Sequence, residues 1–149
     1  MKKLILILVA VLSLTAVAAA QPRALGVRGG WPVGELSYQH SLGSNFLEFD
    51  LGWYAGDIDI AGVYDFVFAS ANIFNFYVGP GAMLGIVAQE GANEGGGFKM
   101  NLGLVGQLGV EAAIPSIPLN ISLDWRPTLF SSFHGTYWGG VALGIRYRF

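Results

Sequence analysis

The sequence predicts an all-β fold: an up-and-down antiparallel transmembrane barrel of about eight strands, preceded by a cleaved signal peptide. Three observations carry that expectation. The first residues have the build of an export signal. The remainder is too apolar for an ordinary soluble domain yet holds no run long enough for a membrane helix. Its apolar residues recur with a period of two.

Lys2 and Lys3 open the chain, Leu4 to Leu12 is an unbroken apolar run, and Ala18-Ala19-Ala20 supplies small residues for a cleavage site. That order is the pattern of a secretory signal peptide, and the run is shorter than the about 20 residues a spanning helix needs. Residues 1–20 are therefore expected to be removed, leaving 21–149 as one domain. The sequence has no cysteine, which excludes a disulfide scaffold and a lipid-anchored lipoprotein. Without Lys2 and Lys3, six basic residues face ten acidic ones. That balance gives no basic stripe for nucleic acid.

The chain is 53% hydrophobic and only 12% charged, against roughly 25% charged in a soluble domain. An exported chain so apolar, without a spanning helix, points to a closed barrel. Lipid supplies no water to satisfy backbone groups, so the strands must satisfy one another.

In a barrel each strand turns one side to lipid and the other to the lumen. From the N-terminus, Leu25 and Val27 alternate with Gly26 and Arg28, and Leu36 and Tyr38 with Glu35, Ser37 and Gln39. Asn45 to Trp53 is cleaner: Leu47, Phe49, Leu51 and Trp53 against Glu48, Asp50 and Gly52. Ile58, Ile60, Tyr64 and Phe66 alternate with Asp57, Asp59 and Asp65, and Phe76, Val78, Ala82, Leu84 and Ile86 with Tyr77, Gly79, Gly81 and Gly85. Met100, Leu102, Leu104, Leu108 and Val110 oppose Lys99, Asn101, Gly103, Gln107 and Glu111. Leu119, Ile121, Leu123 and Trp125 oppose Asn120, Ser122, Asp124 and Arg126. Last, Val141, Leu143, Ile145, Tyr147 and Phe149 oppose Ala142, Gly144, Arg146 and Arg148. A helical period fits none of the clean segments.

Turn signals separate these segments at Trp31–Gly34, Leu42–Asn45, Tyr54–Gly56, Ala69–Asn72 and Ile114–Pro118, with longer polar connections at Gln89–Gly97 and Pro127–Tyr137. With the N-terminus in the periplasm, both longer connections fall outside the cell. The turns near Ser44, Ala71 and Ser116 fall inside, which is the usual asymmetry.

The inward face collects Arg28, Lys99, Arg126, Arg146 and Arg148 with Glu35, Glu48, Asp50, Asp65, Glu111 and Asp124. Charges so nearly matched in a narrow lumen are expected to pair and fill it, since an eight-stranded interior is about as wide as its side chains. The rival reading is a charged constriction in a small, porin-like pore for ions or solutes. Tryptophans and tyrosines near segment ends (Trp31, Trp53, Tyr54, Trp125, Tyr137, Trp138, Tyr147) suit the headgroup level. Asp57, Asp59, Glu90 and Glu94 form an acidic rim whose spacing matches no calcium loop. No motif requires a cofactor or a metal.

The ending Gly144-Ile145-Arg146-Tyr147-Arg148-Phe149 resembles the terminal signal of outer-membrane barrels, with alternating aromatic and apolar residues closing on Phe. The chain from Gln21 onward is similar as a pattern to the small eight-stranded outer-membrane proteins, the OmpA-barrel and OmpX-like group. The resemblance implies a bacterial cell-envelope protein, resident in the outer membrane, among its lipids and lipopolysaccharide. It also implies that the barrel-assembly machinery reads Tyr147 and Phe149. The expected state is a monomer with a structural or cell-surface role and no enzymatic activity. Related barrels include lipid A deacylases and acyltransferases, so two Ser/His sets are weighed as an alternative. His40-Ser41 departs from the deacylase spacing and falls at the periplasmic end. His134 with Ser131 and Ser132 falls in the last outer loop, with only Asp124 as an orienting acid.

Overall fold

A computed structural model describes residues 23–30, 34–54, 57–89, 97–132 and 135–149. The segment expected to be a signal peptide lies outside them, as do Trp31, Glu90, Glu94 and His134.

Nine strand segments form one antiparallel sheet: β1 Arg23–Gly30, β2 Gly34–Leu42, β3 Asn45–Tyr54, β4 Asp57–Ala71, β5 Phe74–Gln89, β6 Gly97–Ile114, β7 Leu119–Trp125, β8 Thr128–Ser131 and β9 Val141–Arg148. Neighbours pair in the order β5-β4-β3-β2-β1-β9-β7-β6, and a further β5–β6 pairing closes the ring. β8 adds to the same edge of β6 as β7, so the two are halves of one stave. Among the described residues the barrel has eight staves, and the β5–β6 pairing closes the ring.

The seam joins β1 to β9, pairing Leu25 with Tyr147 and Val27 with Ile145. It continues beyond the ladder, where Phe149 N–H donates to Arg23 O at 2.8 Å and Arg23 N–H to Phe149 O at 3.2 Å. The last residue is thus tied into the closure by its backbone.

Register fixes the shape. From Ala112 on β6 a row of partners runs through Ile121, Ile145, Val27, Leu36, Leu51, Ile60 and Leu84 back to β6 at Leu102. The stagger, from 112 to 102, is ten residues. For eight staves this tilts the strands by roughly 40° and sets a backbone radius of roughly 8 Å. Each row climbs the barrel, so β5 and β6 rise highest at the end that also carries Trp53.

Three short turns define the other end. Gly43–Ser44 joins β2 to β3, with Gly43 at φ +68°, and Asn72–Ile73 joins β4 to β5, with Asn72 at φ +56°. Both positions need the left-handed region that Gly and Asn enter at least cost. Residues 115–118 turn β6 into β7.

Two departures from the expected segments have local causes. Pro127–Tyr137 was expected to be a longer polar connection. Instead pairing resumes beyond Pro127: Gly106 N–H donates to Pro127 O at 3.0 Å, and Thr128 and Tyr137 exchange backbone hydrogen bonds of 2.8 Å. The missing N–H is absorbed by an irregularity at Leu104/Val105, opposite the join of β7 and β8. A second shift at Val67/Ala69 on β4 breaks the alternation, so Phe68 and Ala69 both turn outward.

The sorting of residues is inverted relative to a soluble barrel. Leu36, Leu51, Ile60, Leu123, Leu143 and Ile145 stand exposed around the outside, whereas Arg28, Glu48, Asp50, Asp65, Asp124, Arg126 and Arg146 are buried within. The outward and inward sets read from the sequence match these faces in every stave.

Candidate functional site

The lumen is a stack of side chains held at successive heights by the stagger. At the short-turn end, Glu111 accepts hydrogen bonds from Asn75 Nδ2 at 3.1 Å and Asn120 Nδ2 at 3.5 Å. Above it Phe46 and Tyr77 meet edge to face, with centroids 5.0 Å apart. Gly109 gives Tyr77 its space, since a Cβ there would stand 2.5 Å from the ring. This aromatic pair closes the lower lumen with apolar bulk.

The middle is organised by Glu48, which has no exposed surface. Its Oε1 lies 2.6 Å from Arg126 Nη2, and its Oε2 lies 3.0 Å from Arg146 Nη2. Gln39 donates to Oε2 at 2.9 Å and Gln107 to Oε1 at 3.4 Å. Arg126 also reaches Asp50 at 2.6 Å and donates from Nε to Gln107 at 2.6 Å. Arg126 follows β7, and β3, which carries Glu48 and Asp50, lies four staves away. These contacts therefore cross the full width of the barrel. Arg146 donates to Ser37 and Ser122, each at 2.8 Å, and Gly144 leaves room for it. Above this layer Arg28 bridges Asp124, at 2.9 Å from Nε, and Glu35, at 2.5 Å from Nη1.

Arg28, Glu35, Glu48, Asp50, Asp124, Arg126 and Arg146 are thus brought together. Four other residues read as part of this charge network stand elsewhere. Lys99 is exposed and joins no ion pair among the described residues, because its place on β6 lies above the plug. Arg148 donates to the carbonyls of Ile114, at 2.7 Å, and Ile117, at 3.2 Å, and so fastens the last short turn. Glu111 has amide partners only. Asp65, fully buried, receives a hydrogen bond from Gln107 at 3.2 Å and has no cation within 4 Å among the described residues. The near balance of charge expected from the sequence does not hold in the plug: three arginines meet four carboxylates, and Asp65 adds a fifth beside them. Arg146 pairs with Glu48, while Asp124 belongs to Arg28.

The neutral members were read as inward-facing but not as part of the network: Ser37, Gln39, Gln107 and Ser122. Phe46 and Val63 were missed altogether, although Phe46 shares the parity of Glu48. The His40–Ser41 pair does not assemble, and of the second set His134 lies outside the described residues. His40 lies beside Tyr38 on the outer face, its Nδ1 3.2 Å from the Tyr38 hydroxyl, and strand alternation turns Ser41 to the opposite face. Ser131 and Ser132 both donate to Asn101 Oδ1, at 2.8 and 2.9 Å. Asp57 and Asp59 lie at the start of β4, and no group of three or more metal-ligating side chains occurs among the described residues.

A closed antiparallel ring, apolar outside and ion-paired within, defines this chain as a small β-barrel of the kind found in outer membranes. Among solved structures its fold is similar to the crystal structure of Neisserial surface protein A (NspA), with a TM-score of 0.55 over 87% of this chain and 94% of that one. The two are 14% identical, so the likeness is one of fold. No family model matches the sequence, and no curated protein does.

Proposed function

We propose that this chain is an integral outer-membrane protein of the small eight-stranded group, exported by a signal peptide at residues 1–20, with a structural or cell-surface role and a lumen closed by its own side chains. The apolar belt around every stave supports the membrane reading. Leu123, Leu143, Val27 and Leu104 are each more than half exposed, which in water would form a patch far beyond the few hundred Å² usual on a soluble monomer. β2 and β3, of 9 and 10 residues, have about the length a tilted strand needs to cross a bilayer. Trp53 and Trp138 stand exposed at the long-loop end and Tyr147 and Phe149 at the other, in the pattern of two interfacial girdles. The likeness in fold to a protein titled a surface protein agrees with this location.

The observation that carries the closed lumen is the pair of contacts from Arg126 to Glu48 and Asp50, which span the barrel where its backbone radius is only roughly 8 Å. The role is then carried by the outside and the loops. Fractionation of expressing cells tests the proposal: a heat-modifiable band in the outer membrane whose N-terminal sequence begins at Gln21 is expected. Soluble protein, or mature protein that retains Met1, would defeat it.

A further inference from the structure

Above the plug, at the long-loop end, the lumen opens into a cavity of about 150 Å³. The charged residues of its floor are spent on one another and on the plug. Arg28 is bound to Asp124 and Glu35, and Arg126 to Gln107, Glu48 and Asp50, with Arg126 Nη1 ion-paired to Glu35 at 3.7 Å. Asp59, in the wall, is different. It is half-buried and makes no hydrogen bond or ion pair among the described residues. Gly85, its register partner on β5, leaves the carboxylate room, since a Cβ there would stand 2.8 Å from Asp59 Oδ1. Ala61, Met83, Val105 and Ala142 supply apolar wall beside it. Among the described residues, then, the mouth holds a free carboxylate and no free cation.

We infer that this mouth binds a small organic cation, a primary ammonium on a short aliphatic body. The ammonium takes the Asp59 carboxylate, and the aliphatic part lies against Met83 and Val105. The plug below has more carboxylates than arginines, and that excess draws cations towards the mouth. An anion would meet the same excess and find no free cation. A bare Ca²⁺ or Mg²⁺ ion needs about six or more oxygen ligands, whereas no group of three or more metal-ligating side chains occurs among the described residues. Lys99, the other cation at this end, is exposed and joins no ion pair among the described residues, so the chain does not itself claim Asp59. A cavity of about 150 Å³ holds one benzene-sized molecule, which sets the length of the aliphatic body. The inference uses only the lumen and does not depend on the membrane reading.

The methionines supply a probe. Met83 lines the cavity, whereas Met100 stands 67% exposed on the outer face of β6. With methyl-¹³C-methionine in the folded barrel in nanodiscs, n-butylammonium should shift the Met83 methyl saturably and leave Met100 unmoved. Butanol, of the same shape but uncharged, should bind about tenfold more weakly, the loss expected for one charge-assisted hydrogen bond. Butyrate should give no shift. Asp59→Asn should lower butylammonium to the affinity of butanol and leave butanol unchanged. Ala61→Phe, which fills the cavity from a residue outside the plug, should abolish both shifts. No Met83 shift with butylammonium, or equal binding of butanol, would overturn the inference. So would butylammonium binding unchanged in Asp59→Asn, a saturable shift with butyrate, or a shift that survives Ala61→Phe. Should Asp59→Asn not fold, the wild-type ratio of butylammonium to butanol, and its loss in Ala61→Phe, decide.

Discussion

Glu48 and Asp65 are both fully buried carboxylates in the same lumen, and they should respond oppositely to neutralisation. Glu48 lies against two guanidinium groups, Arg126 at 2.6 Å and Arg146 at 3.0 Å. In Glu48→Ala, Arg126 keeps Asp50, but Arg146 keeps only the Ser37 and Ser122 hydroxyls. One buried cation is left without compensation, a loss of roughly 3–5 kcal/mol. With a urea dependence of roughly 2 kcal/mol per molar, the midpoint should fall by roughly 2 M. Asp65 has no cation partner to lose, and its one hydrogen bond, from Gln107, can be accepted equally by an amide oxygen. Asp65→Asn should therefore leave the midpoint unchanged or raise it, since the unpaired charge opposes folding. Reversible urea unfolding in lipid vesicles measures both. A Glu48→Ala loss below about 1 kcal/mol would mean that water screens the lumen charges as at a surface. An equal loss in Asp65→Asn would mean that the pairing drawn from the contacts is wrong.

The outer belt gives a depth test: Leu123→Arg, facing out near mid-height, should cost about 2–4 kcal/mol, and Met100→Arg, two residues above the top of the partner row, about 0–1 kcal/mol, in the same vesicle assay. Equal costs would move the membrane boundary. Gly109→Val drives a side chain into the Tyr77 ring and should cost about 1–3 kcal/mol by overpacking, read from the urea midpoint. Deleting Phe149 removes the residue whose backbone is tied to Arg23 and should leave unfolded protein outside the membrane, seen as loss of the heat-modifiable band; normal folded amounts would argue against a role for this residue in assembly.

Parity carried most of what the sequence could tell. One face of each strand meets an apolar surround, so Asn45–Trp53, Leu119–Arg126 and Val141–Phe149 declare their faces by residue type alone. Parity gives direction, however, and not height. Lys99 and Arg148 point inward by count but lie beyond the two ends of the plug, a fact that depends on the ten-residue stagger, and stagger is written in no single strand. Nor does parity give partners: Arg126 meets residues four staves away, which only closure brings together. Phe46 was readable by parity but concealed by its apolar type, because an inward Phe mimics an outward one. Pro127–Tyr137 reads as a connection by its polar composition, yet pairing resumes beyond Pro127 because an irregularity opposite it absorbs the missing N–H.

Single-channel recording in planar bilayers tests the central claim, that side chains close this lumen. The wild-type barrel should show no steady conductance. Arg126→Ala, which removes the contacts crossing the full width, should admit at most brief, irregular openings. Long, uniform open states in the wild-type protein would contradict the account and make the paired charges the constriction of a pore.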